Sequence, residues 1–126
     1  MGCDPHARSD ERPWGRWDVV FAENDYRVKR ISVRPGARLS YQTHRQRSEH
    51  WLIVRGSALA TLDGKEIRMK PGDALDVPVG AAHRVANTGA EELVILEIQR
   101  GAYFGEDDIV RLHDDYGRAA EPEKKP

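Results

Sequence analysis

Residues 36–56 read GARLSYQTHRQRSEHWLIVRG. Most of this stretch alternates as a β-strand does, yet it carries an amide, an imidazole and a carboxylate at Gln42, His44 and Glu49. Side chains on a strand alternate between its faces, so Gln42 and His44 share one face. Glu49 opens the next strand, with Trp51 on its face. A hairpin between these strands would bring Glu49 back beside His44. A second stretch, GDALDVPVGAAHRVAN at residues 72–87, places His83 just after a turn shaped by Pro78 and Gly80. Two imidazoles, a carboxylate and an amide oxygen compose a divalent-metal shell. This mix of nitrogen and oxygen donors suits zinc, manganese, iron, cobalt or nickel and does not select among them. Enclosed in a β-structure with no cation, Glu49 would carry a heavy desolvation cost.

The rest of the chain is densely punctuated. The turn sequences RPGA, LDGK, KPGD, PVGA and NTGA separate short runs rich in Val, Ile, Leu and Trp. That pattern predicts strands over 17–22, 26–34, 38–44, 49–55, 58–62, 66–69, 74–77, 83–86 and 93–99, an all-β sandwich or barrel. Asp63-Gly64 is a two-residue hairpin turn. GEDDIVRLHDDYGR, residues 105–118, is the one segment that reads as a short helix or irregular piece. Residues 1–11 and 119–126 are polar and expected to be disordered, leaving one domain over 12–118.

Composition narrows the function. With 126 residues and a formal net charge of −1, the chain has no overall field that favours nucleic acid or an anionic membrane. The single cysteine, Cys3, excludes an intrachain disulfide and a thiolate-built zinc site. No apolar run reaches membrane-spanning length. The leader lacks the apolar stretch of a signal peptide, so a cytoplasmic location is expected.

The two polar stretches match the paired motifs of the cupin superfamily. Gly36, His44, Glu49 and Gly56 fit the first, with Gln42 standing where its first histidine usually stands. Gly72, Pro78, Gly80, His83 and Asn87 fit the second in full. The chain further resembles the type II mannose-6-phosphate isomerase family, whose domain also follows the nucleotidyltransferase part of bifunctional mannose-1-phosphate guanylyltransferases. The resemblance rests on RPWG, YRVKRISVRPGARLSYQ, RSEHW, PVGAAHR and GEDDIVRLHDDYGR. It implies a cupin double-stranded β-helix, or jelly-roll barrel, holding a divalent metal on Gln42, His44, Glu49 and His83. It implies a phosphosugar substrate, with mannose 6-phosphate and fructose 6-phosphate interconverted. A homodimer is expected, since small cupins often pair through edge strands. The sequence departs from the family at Gln46, where a histidine is frequent, and at His113, which replaces an acidic residue.

Aldose–ketose isomerisation needs a Lewis acid, a proton carrier and a phosphate clamp. Glu97 in LVILEIQR shares a face with Leu93, Ile95 and Gln99, opposite Val94, Leu96 and Ile98. It is either a cavity carboxylate or a solvent-facing one, and the demand for an apolar inner face favours the latter. His50, next to Glu49, faces the other way. Lys29, Arg30, Arg84 and Arg111 are the phosphate candidates. Arg84 follows His83 and should point away from the metal, whereas the resemblance implies Arg111 as a catalytic or phosphate-contacting group. Trp14 and Trp17 are expected to pack the N-terminal strand against the barrel, and Trp51 to line the cavity. Two other functions compete. His44, Glu49 and His83 alone form the two-histidine, one-carboxylate triad of non-haem iron oxygenases, which Gln42 argues against. The alternative is a non-catalytic sugar-binding cupin.

Overall fold

Tight turns set the strand pattern in the computed structural model, which describes residues 8–116. Asp63 and Gly64 both take positive φ, 48° and 83°. This is the backbone that a two-residue hairpin needs to match the twist of its strands. The turn joins β6 (Ala58–Leu62) to β7 (Lys65–Met69). The other strands are β1 (Ser9–Arg12), β2 (Gly15–Ala22), β3 (Tyr26–Val33), β4 (Tyr41–His44), β5 (Arg47–Arg55), β8 (Ala74–Val77), β9 (His83–Asn87), β10 (Leu93–Gly101) and β11 (Ile109–His113).

These strands form two sheets. The first has six strands in the order β1-β2-β3-β10-β5-β8, and the second has five in the order β11-β4-β9-β6-β7. Every paired neighbour is antiparallel. The facing surfaces enclose an apolar core that includes Val33, Ile53, Ala60, Val85, Leu93 and Ile95. Beside that core the interior opens into a cavity. No helix among the described residues is long and apolar enough to cross a membrane.

Three sequence expectations are corrected here. β1 begins at Ser9 and pairs with β2 through Ser9↔Asp18 and Glu11↔Arg16, so order starts inside the stretch 1–11 expected to be disordered. Its polar composition hid an edge strand that needs only one covered face. The segment 105–118 contributes one 3₁₀ turn at Glu106–Asp108 and then a strand, β11, on the edge of the second sheet. Strands β4 and β5 do not form a hairpin. Arg45 and Gln46 carry the chain from one sheet to the other, so His44 and Glu49 meet across the interior rather than along a ladder. The expected tail, 119–126, lies outside the described residues.

Candidate metal centre and cavity

His44 ends β4, His83 starts β9, and Glu49 lies on the inner face of β5. All three are buried, and each offers a ligand atom within 4.8 Å of the others, a group that could hold a metal ion. Glu49 Oε2 lies 3.0 Å from His44 Nε2, and Glu49 Oε1 lies 3.7 Å from His83 Nε2. The two rings sit 4.9 Å apart between centroids.

The other nitrogen of each ring decides what Nε2 can do. His83 Nδ1 donates to the carbonyl of Ala81 at 2.9 Å, and His44 Nδ1 donates to that of Asp108 at 3.3 Å. A carbonyl only accepts, so both Nδ1 atoms carry hydrogen and each ring turns its Nε2 toward Glu49. Burial, the largest influence on His83, lowers its pKa and keeps its ring neutral, as a ligand must be. Gly80 N donates to the His44 carbonyl at 2.9 Å, which ties the turn of the second motif to the strand end of the first.

Gln42 pairs in register with His83 and lines the same cavity. Its amide nitrogen donates to Ser40 Oγ at 2.8 Å. Arg111, on β11, stands opposite Gln42 and also lines the cavity.

Glu97 is a cavity residue, 5% exposed, so the solvent-facing reading is overturned. The inner face of β10 is apolar only at the end bearing Leu93 and Ile95. At the other end it is polar, with Glu97 and Gln99 buried. Trp51 Nε1 bridges two carboxyls, at 3.0 Å from Glu49 Oε1 and 3.3 Å from Glu97 Oε2, and Gln99 Nε2 reaches Glu97 Oε1 at 3.2 Å. The two carboxyls are hydrogen-bonded to each other, and their pKa values move apart. Burial and then the charge of Glu49 push Glu97 well above 4.5. Burial opposes ionisation of Glu49 too, but hydrogen bonds from Glu97 and His44 and the adjoining imidazoles outweigh it and hold Glu49 well below 4.5. The pair therefore holds one proton, on Glu97.

The cavity opens to solvent. Five cationic side chains border it: Arg12, Lys29, Arg47, Arg84 and Arg111. Lys29 is buried opposite Glu97, with its amine 4.0 Å from the centre of the Trp17 ring. Arg30, on the other face of β3, donates to Ser32 Oγ and stays outside the cavity. Arg84, expected to point away, borders the cavity while its Nε donates to the Leu39 carbonyl at 3.0 Å. Trp14, Trp17 and Trp51 are all buried and line the cavity. His50 lies on the outer side, paired with Asp76 at 2.6 Å.

A family model described as "Mannose-6-phosphate isomerase C-terminal" matches residues 4–114. The chain belongs to that family. It is 49% identical over 111 residues to "Alginate biosynthesis protein AlgA" of Pseudomonas aeruginosa, covering 88% of this chain and 23% of that one. It is 46% identical over 107 residues to a "Mannose-1-phosphate guanylyltransferase" of Escherichia coli, covering 85% and 23%. The chain thus spans less than a quarter of the length of these curated relatives. In fold it superposes on the Schizosaccharomyces pombe Cnp3 cupin domain with a TM-score of 0.66 and 18% identity, over 68% of this chain and 64% of that one. The fold is that of a cupin.

Within this mannose-6-phosphate isomerase C-terminal domain, Arg47 escaped the sequence reading. It is 3% exposed, and its Nε donates to Glu49 Oε2 at 3.3 Å. Nη1 donates to the Phe104 carbonyl at 3.2 Å, and Nη2 lies 3.3 Å from His44 Nε2. Strand parity alone would have found it, because Arg47, Glu49 and Trp51 alternate onto one face. Gln99 could have been found the same way, two residues beyond Glu97. Asn87, the last residue of the second motif, is structural: its amide donates to the carbonyls of Val33 and Glu91.

Proposed function

We propose that this domain is a metal-dependent isomerase interconverting mannose 6-phosphate and fructose 6-phosphate. One observation carries the reading: a metal-capable triad, a neutral carboxyl and an excess of cations share one cavity in a chain of this family. Among the described residues the ionised carboxylate of the wall is Glu49, against five cationic side chains, one of which, Arg12, is paired with Asp10 outside the wall. That balance suits a substrate with two negative charges, a phosphate ester, better than a neutral sugar.

His44, Glu49 and His83, with Gln42 beside them, would hold a divalent cation, whose contribution is Lewis acidity toward the sugar's oxygens. The remaining work falls to the protein. Glu97 holds a proton at an oxygen close to the triad. Its raised pKa makes it a better proton carrier than an ordinary carboxyl, as transfer between C1 and C2 requires. Arg111 and Lys29 act as anion clamps. The Trp17 indole nitrogen and the Gln99 amide oxygen, both buried and unmatched among the described residues, offer hydrogen bonds to sugar hydroxyls.

An assay coupled to fructose 6-phosphate formation tests this. Turnover of mannose 6-phosphate should stop on chelation and return when a divalent metal is added back. Glu97→Gln should lower kcat by roughly 10²–10⁴-fold while leaving metal content unchanged. Metal-replete protein that leaves mannose 6-phosphate untouched refutes the proposal. Oxygen uptake with ferrous iron would replace it with an oxygenase reading of the same triad.

A further inference from the structure

His44 and His83 are supported in different ways. The carbonyl that orients His83 belongs to Ala81, two residues earlier in the same turn. The carbonyl that orients His44 belongs to Asp108, 64 residues away in the 3₁₀ turn between β10 and β11. A hydrogen bond reaching that far holds its ring only if the distant backbone is itself fixed. The Asp108 side chain does the fixing. Its Oδ1 accepts from Arg45 N at 3.1 Å and its Oδ2 from Gln46 N at 2.9 Å. Arg45 and Gln46 are the whole link between β4 and β5, the crossing that separates His44 from Glu49. One residue thus grips the crossing with its carboxylate and the histidine with its carbonyl.

Neighbouring contacts press the same two segments together. Arg47 Nη1 donates to the Phe104 carbonyl, and Ala102 N donates to the Gln46 carbonyl at 3.3 Å. A Cβ on Gly101 would lie 2.1 Å from Gln46 O, so only glycine lets the end of β10 come this close. From these contacts we infer that Asp108 is a positioning residue for the metal centre: it sets the tautomer and orientation of His44 and the spacing between His44 and Glu49. Partners behind a ligand histidine fix its ring and change metal affinity, by about 10–100-fold in other sites. The inference rests on the reading of His44 as a ligand. It requires no particular reaction.

The test compares wild type, Asp108→Ala, Asp108→Asn and Asp73→Ala. Asp73 accepts from Lys70 N at 2.9 Å in a turn away from the cavity and is the control for losing a turn clamp. Cobalt(II) titration of the metal-free proteins reads affinity, and ¹⁵N shifts of the imidazoles read the His44 tautomer without any metal. Asp108→Ala should bind cobalt at least tenfold more weakly and show a mixed His44 tautomer, with His83 unchanged. Asp108→Asn keeps one acceptor oxygen and should recover part of both. Asp73→Ala should match wild type. An Asp108→Ala protein with wild-type affinity and a pure Nδ1–H tautomer at His44 overturns the inference, as does an equal loss in Asp73→Ala. If Asp108→Ala does not fold, Asp108→Asn decides, and wild-type values for it in both readouts overturn the inference. If wild type itself binds no cobalt, the metal reading fails, while the tautomer comparison still decides whether Asp108 sets the His44 ring.

Discussion

Strand β10 shows two faces of opposite character. Inward it places Glu97 and Gln99, both buried, and outward it places Ile98, 37% exposed. On β5, its neighbour, Glu49 and Trp51 lie inside, and Leu52, 37% exposed, lies outside next to the polar His50. Over this part of the sheet polar groups are enclosed and apolar groups meet water, the reverse of an ordinary half-buried antiparallel sheet. Farther along the same two strands the inner face turns apolar, and Leu93, Ile95 and Ile53 fill the core. The inversion is local, and it coincides with the cavity. It is tolerable because the enclosed groups satisfy one another: Arg47 to Glu49, Trp51 to both carboxyls, Gln99 to Glu97. A sheet that breaks the polarity rule in one place and keeps it elsewhere marks where stability has been traded for chemistry.

The hardest test of that contrast removes the group on which the inner network converges. Glu49→Ala takes away the carboxylate of the triad that could hold a metal and leaves the Arg47 guanidinium, 3% exposed, without its partner. Breaking one side of a buried ion pair costs about 3–5 kcal/mol, so urea unfolding of the metal-free variant should shift by that order, and metal content should fall to background. A variant as stable as wild type would mean that the network is bystander packing and not a satisfied polar core.

A subtler test follows the shared proton. In the metal-free fold Glu97 keeps a proton that the unfolded chain releases above pH 4.5. Stability therefore falls as pH rises from that value toward the raised pKa of Glu97, at up to about 1.4 kcal/mol per pH unit. Glu49 has the opposite sign. Its carboxylate contributes stability above 4.5, which is lost as pH falls through its depressed pKa. The pair's own contribution is greatest where Glu97 is still protonated and Glu49 ionised. Glu97→Gln, which still donates to Glu49, should erase the falling limb and keep the acid one. Denaturation midpoints measured across pH for both proteins check this, and parallel curves would show that Glu97 carries no extra proton.

Much of the site was legible in the sequence because its information is local. Gln42 and His44 lie on one short strand, and Pro78, Gly80 and His83 lie on one turn, so parity and turn chemistry bring them to the same interior. The Asp63-Gly64 hairpin was readable for the same reason. What stayed hidden depends on which segments touch across the fold. The polarity rule misassigned Glu97, since it assumes a filled interior and nothing in LVILEIQR reveals that this one holds a cavity. Arg47 was passed over although parity puts it on the face of Glu49; its contacts with His44 and Phe104 appear only in the fold. The role of Asp108 depends on a contact across 64 residues, and a helical reading of its segment concealed the strand that brings it there.

The smallest effect belongs to the outer face, and it bears on the comparison as much as the others. Ile98 neighbours Glu97 in the chain but faces outward, beside Val28 and His50 in the paired strands. If apolar side chains are there only because the pleat alternates, Ile98→Thr removes little buried surface and keeps a β-branched residue suited to a strand. The change in stability should stay within about 0.5 kcal/mol, and metal affinity should not move. A loss of 2 kcal/mol or more would mean that the outer face is covered in solution. The sheet would then be buried on both sides, and the inversion would be one face of a larger interior.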